Sequence, residues 1–143
     1  MGKATRETAL ELAAKATARL RAAGLRPTRQ RVELAGLLFR DCDRHVTAEG
    51  LHDEVTQAGV KVSLATVYNT LHQFTEAKLL RQVIVDAARS YFDTNTGEHQ
   101  HFFLEDEGML IDIEEHIAVS GVPTPPAGMA VDRVDVVVRV RRN

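Results

Sequence analysis

His99 and His101 stand two residues apart in the stretch "GEHQHFFLE". On a strand, that spacing turns both imidazoles to one face. Asp93 precedes them in "SYFD", Asp112 follows in "LIDIE", and His45 lies upstream in "DRHVTAE", at an expected helix start. Three imidazoles and two carboxylates form a nitrogen/oxygen donor set suited to Fe, Mn, Zn or Co rather than to a thiolate-selective metal. The pair admits a second chemistry, because Phe102 and Phe103 follow it directly and a histidine beside apolar rings can be an axial haem ligand. A third reading treats His99-Gln100-His101 with Glu105 as half of a cupin-like metalloenzyme cluster, although no later histidine motif completes it. Solvated histidines are the bland reading, and it is the one that fits His52, His72 and His116. Cys42 is the single cysteine. It can form no disulfide within the chain, and without a Cys-x-x-Cys there is no zinc knuckle; it reads as a buried or idle thiol. No nucleophile–base arrangement and no glycine-rich phosphate loop is visible, so an enzyme is not expected.

A second group of residues could meet nucleic acid. In "SLATVYNTLHQF", Ser63, Thr66, Tyr68, Asn69 and Thr70 fall in the first half of an expected helix, the part of a recognition helix that enters the major groove. A tyrosine can touch thymine methyls, and an asparagine can pair with an adenine edge. Lys15, Arg19, Arg26 and Arg29 are placed for phosphate or a minor groove. The net charge of −2 conceals an asymmetry. Residues 1–82 hold 13 Lys/Arg against 9 Asp/Glu, whereas residues 83–143 hold 5 against 11. A basic module joined to an acidic one fits a DNA-binding half and a half with another task.

Those residues need elements to hold them. Leu12, Ala16, Leu20 and Ala23 recur with helical spacing, predicting a helix over about residues 5–22, ended by Gly24. Thr28, Thr47 and Ser63 can cap three more helices, in "RQRVELAGLLFRD", "AEGLHDEVTQAG" and "LATVYNTLHQFTEAKLL". Val32, Ala35, Leu38, Phe39, Val67, Leu71 and Phe74 are their expected buried residues. "LLRQVIVD" and "SYFDTN" around Ala87-Ala88-Arg89 read as a β-hairpin, and a hairpin after a recognition helix is the wing of a winged helix. "HQHFFLE" and "GMLIDIEE" read as strands around an acidic turn, "PTPPAG" as a stiff loop, and "VDRVDVVVRVRRN" as a last strand. That strand leaves an edge to be paired, which favours a dimer. No run approaches the ~18 apolar residues of a membrane span. The N-terminus is charged and amphipathic rather than signal-like, so a cytoplasmic location is expected.

Taken in order, "GLRPTRQRVELAGLLF", "RHVTAEGLHDEV", "VSLATVYNTLHQFTEAKLL" and "SYFDTN…EHQHFF" resemble the ferric uptake regulator superfamily from about Gly24 onward. "RPTRQR", "YFDTNT" and "RVDVVVRVRR" resemble its iron response regulator branch. The resemblance implies an α+β homodimeric transcription factor. Residues 1–86 would form a winged helix-turn-helix domain and residues 87–143 a small α/β dimerisation and sensing domain. It implies base contacts from Tyr68 and Asn69, a minor-groove position for Arg26, and a metal set of His45, Asp93, His99, His101 and Asp112. The Cys-x-x-Cys of zinc-containing relatives falls at Leu104-Glu105-Asp106-Glu107, so that zinc is absent. A histidine run common in the branch is His99-Gln100-His101 here, and the branch's Cys-Pro haem motif is missing. The branch implies DNA binding in the iron-poor state and release by haem, with His99 and His101 as haem ligands. The alternative within the superfamily is a repressor activated by Fe(II) or Mn(II).

Overall fold

The computed structural model describes residues 8–143. The chain divides into two compact units, one ending at Thr96 and the other beginning at Gly97. Among the described residues no helix is long and apolar enough to cross a membrane.

The first unit contains α1 (Ala9–Ala22), α2 (Arg29–Leu38), β1 (His45–Val46), α3 (Ala48–Gln57), α4 (Leu64–Glu76), β2 (Arg81–Ile84) and β3 (Ser90–Asp93). Each helix starts where a hydroxyl can take an orphan amide. Thr28, Thr47 and Ser63 accept from the amides of Arg31, Gly50 and Thr66. The start of α1 differs from the expected one. Thr8 caps it, with Glu11 returning a bond in a capping box, and residues 5–7 of the expected helix lie outside the described residues. Three helices end in one way: Gly24, Gly59 and Lys78 take positive φ, and the next amide bonds back to Leu20, Val55 and Phe74 respectively. The apolar faces of all four helices close on one core. Leu20, Leu34, Leu38, Leu51, Val55, Val67, Leu71, Phe74 and Phe92 are each at most 1% exposed. Burial of each is worth on the order of 1.5–3 kcal/mol.

The hairpin β2–β3 follows α4 as expected for a wing, and β1, which the sequence pattern did not suggest, adds a third strand in the order β1-β3-β2. Because β3 pairs with β2 along its whole length, the unit boundary falls at 96/97. The expected division at 86/87 would cut this hairpin at its tip. There Asp86 accepts the amides of Ala88 and Arg89 and pairs with the Arg89 side chain.

The second unit holds β4 (Gln100–Leu104), β5 (Met109–Ile113) and β6 (Val137–Val140), in the order β5-β4-β6. The β4–β5 pair is an antiparallel hairpin, and β6 runs parallel to β4. Every described element of this unit is a strand, and with the helical first unit the chain has the expected α+β fold. Residues 114–136 cross over without helix or strand, and prolines 123, 125 and 126 in that stretch deny helix formation. The last strand is also shorter than its sequence pattern. It pairs only with His101–Leu104, so the ladder ends where β4 ends.

Candidate functional site

The first unit brings His45 and Asp93 together. They are direct partners in the β1–β3 register, and His45 Nε2 lies 3.1 Å from Asp93 Oδ2. The neighbouring residues hold this pair. The Arg44 amide donates to Thr94 Oγ1 at 2.8 Å, and the Thr94 amide donates to the Arg44 carbonyl at 3.1 Å. The Arg44 guanidinium bonds the Leu37 carbonyl and the Glu54 carboxylate, tying β1 to α2 and α3. Asp93 is 1% exposed, and its Oδ1 accepts the Asn95 amide at 2.9 Å. Sequence patterns do not disclose this clamp, since Arg44 and Thr94 lie 50 residues apart.

The second unit brings His99, His101 and Asp112 together. His101 and Asp112 are direct partners in the β4–β5 register. Both His99 Nε2 and His101 Nε2 lie 3.2 Å from Asp112 Oδ1, and the two rings are 4.5 Å apart, centroid to centroid. His99 Nδ1 lies 2.7 Å from the Gly97 carbonyl oxygen. A carbonyl can only accept, so Nδ1 carries a proton and Nε2 is the nitrogen turned toward the carboxylate. Imidazole nitrogens 3.2 Å from a carboxylate oxygen fit a shared proton or a shared cation. Gln100 is no rival ligand. Its side chain points to the other face, where Oε1 accepts the Val136 amide at 2.7 Å and fixes the start of β6.

The two phenylalanines do not frame the histidine pair. Phe102 alternates to the face opposite His101, and Phe103 is wholly buried. Neither gives a porphyrin an accessible apolar wall beside the imidazoles. Of the two expectations for Cys42, buried or idle, burial is excluded: it is exposed and sits between Asp41 and Asp43. His72 and His116 are exposed as expected, while His52 is half-buried, its Nε2 3.0 Å from the Val62 carbonyl.

On α4, Tyr68 and Asn69 are exposed on consecutive positions, and Tyr68 stacks on His72 with centroids 5.8 Å apart. Ser63 and Thr66 are occupied with the cap, Ser63 Oγ donating to Thr66 Oγ1 at 2.9 Å. Thr70 is turned inward and donates to the Thr66 carbonyl, so it does not belong to an exposed reading face. Arg26 and Arg29 are exposed at the entry to α2, where Arg29 pairs with Glu33 at 3.3 Å. Lys15 and Arg19 are exposed on α1, and the Arg19 guanidinium lies 4.4 Å from the centre of the Phe39 ring. Sequence reasoning missed Arg31. It donates to the Arg26 carbonyl at 2.9 Å and to Gln73 at 3.0 Å, fixing α4 against the start of α2.

Residues 22–121 match the model of the ferric uptake regulator family. The chain belongs to the ferric uptake regulator family. This is a family of transcriptional regulators, not of enzymes. The ferric uptake regulation protein of Pseudomonas aeruginosa is 36% identical over 94 residues, which are 65% of this chain and 70% of the relative. That of Escherichia coli K12 is 31% identical over 97 residues, 67% of this chain and 66% of the relative. The solved structure of the Pseudomonas aeruginosa ferric uptake regulator with manganese superposes with a TM-score of 0.67 at 28% identity, covering 89% of this chain and 97% of that one. The Francisella tularensis regulator with iron has the same fold, with a TM-score of 0.66 at 20% identity, over 83% of this chain and 92% of that one. The family match runs from the end of α1 through β5 and stops before β6.

Proposed function

We propose that this chain is a divalent-metal-responsive transcriptional regulator that binds operator DNA as a homodimer in the cytoplasm. One observation carries the proposal: His99 Nε2 and His101 Nε2 both lie 3.2 Å from one carboxylate oxygen of Asp112, with His99 Nδ1 committed to the Gly97 carbonyl. Two imidazole nitrogens converging on one carboxylate oxygen make a donor set for a cation. The proposed effector ligands are His99, His101 and Asp112 in the second unit and His45 and Asp93 in the first. Two carboxylates balance a dication, and the mixed nitrogen/oxygen set suits Fe(II), Mn(II) or Zn(II). A relative with manganese at 28% identity supports the same chemistry. These residues bind and orient the ion; the metal supplies the charge that fixes the regulator in its DNA-binding form.

Residues 1–96 carry the DNA-binding domain and residues 97–143 the dimerisation domain. Tyr68 and Asn69 read bases from α4, and Arg26, Arg29, Lys15 and Arg19 meet phosphate. A two-fold dimer sets its two α4 helices on half-sites about 34 Å apart. The iron response regulator branch, with release of DNA by haem, has the sequence likeness of "RPTRQR" and "YFDTNT" in its favour. The placement of Phe102 and Phe103 favours the metal. The cupin-like enzyme has no support in a family of regulators. Selection from random DNA duplexes with Mn²⁺, and again with chelator, tests the proposal. We expect an inverted repeat enriched with Mn²⁺; no enrichment in either condition would reject DNA recognition.

A further inference from the structure

Among the described residues of the first unit, Arg81 and Asp93 are the buried residues that carry a full charge, at 6% and 1% exposure. They are direct partners in the β2–β3 register. Residues directly opposite on antiparallel strands share a face, with Cβ atoms about 4.5–5.5 Å apart. His45 is the partner of the same Asp93 on the other side, so His45, Asp93 and Arg81 form one row across three strands. A buried ion is stable only when paired, and a guanidinium cannot shed its proton to escape. Two buried groups of opposite charge type thus stand as neighbours in one register.

We infer that Arg81 is the built-in counter-cation of Asp93, holding its carboxylate when no metal is bound and competing with the metal when one arrives. This rests on the reading of Asp93 as an effector ligand. Asp93 thus has two faces, one toward His45 and the ion, the other toward a permanent protein cation. A dication that takes up Asp93 is repelled by the guanidinium behind it. Arg81 accordingly sets the affinity lower than the ligands alone would give, and it keeps the metal-free protein folded. Removing it has two linked effects: the metal-free fold weakens, and the metal, now the only cation available, binds more tightly.

The test uses the full chain, Co²⁺ alone as the probe, visible absorbance for binding, and thermal melting with and without Co²⁺. For Arg81→Met we expect the metal-free melting midpoint to fall on the order of 10 °C. Co²⁺ should recover most of that loss and bind about tenfold more tightly. Arg81→Lys keeps the charge and should stay near the unsubstituted protein. Arg81→Met with Asp93→Asn removes both charges and should regain metal-free stability. Equal destabilisation with and without Co²⁺, with Co²⁺ affinity unchanged, would make Arg81 a purely structural residue and overturn the inference. Failure of the double variant to regain stability overturns the pairing, including where Arg81→Met alone does not fold. Absence of Co²⁺ uptake by the unsubstituted protein would instead reject the effector site, and this competition with it.

Discussion

The role proposed for His99 rests on what its other nitrogen does. His99 Nδ1 is committed to the Gly97 carbonyl, which leaves Nε2 as the proposed ligand atom. The double substitution His99→Ala with His101→Ala should therefore abolish Mn²⁺ uptake, measured by chelator competition, and remove the metal response while leaving metal-independent DNA binding. Loss of cooperative folding as well would mean that the pair is structural. Asn69 is exposed on α4, so Asn69→Ala should cost about 1–3 kcal/mol of operator binding and relax the preference at one base position. A thermal melt unchanged within a degree would separate recognition from stability. The hydrogen bond from the Arg89 side chain holds the Asp86 carboxyl below its ordinary pKa. A depressed carboxylate stabilises the wing tip above its unfolded value and loses that contribution as pH falls through the folded one. The protection of the Ala88 and Arg89 amides, relative to their intrinsic exchange, should fall as the pH is lowered below about 4, but not in Asp86→Asn, where it should be low throughout.

Helices were the most legible elements. A side-chain oxygen ahead of an apolar period carries its own explanation, and Thr28, Thr47 and Ser63 cap α2, α3 and α4 as their positions imply. The α1 cap was not legible as a boundary because helix-favouring residues continue before Thr8. Strands were harder. β1 is two residues long and exists because Arg44 and Thr94 exchange bonds across 50 residues, a relation no local pattern encodes. β6 is shorter than its valine-rich sequence because its partner, not its propensity, sets its length. The helix ends offer a direct test. Lys78 holds φ 63 where the other two helices use glycine. Lys78→Gly should raise stability by about 0.5–1 kcal/mol, measured by urea denaturation; no change would mean that the left-handed turn is unstrained. Leu71→Ala, in the middle of α4, should cost about 2–5 kcal/mol in the same measurement.

For the whole molecule, the charge asymmetry and the ordered motifs made a DNA-binding half and an acidic half legible, and membership of the ferric uptake regulator family agrees. The residues of the proposed metal site are legible as types and spacings. Their supports were not: Gln100 at the start of β6, the Arg44–Glu54 tie, and buried Arg81 beside Asp93 depend on strand register. Haem looked plausible from Phe102 and Phe103 because a linear sequence cannot tell a ring in the core from one beside the ligand. If several phosphates are contacted, operator affinity should fall steeply with salt, with a logarithmic slope of about −0.9 for each phosphate neutralised. The central claim is that a divalent metal at the His/Asp site promotes DNA binding. It is tested most directly by the affinity of the selected duplex for the protein in chelator, in Mn²⁺ and in stoichiometric haem. Tighter binding in Mn²⁺ by about tenfold or more, with haem inert, is the predicted result. Strong binding in chelator that haem abolishes and Mn²⁺ leaves unchanged would contradict it.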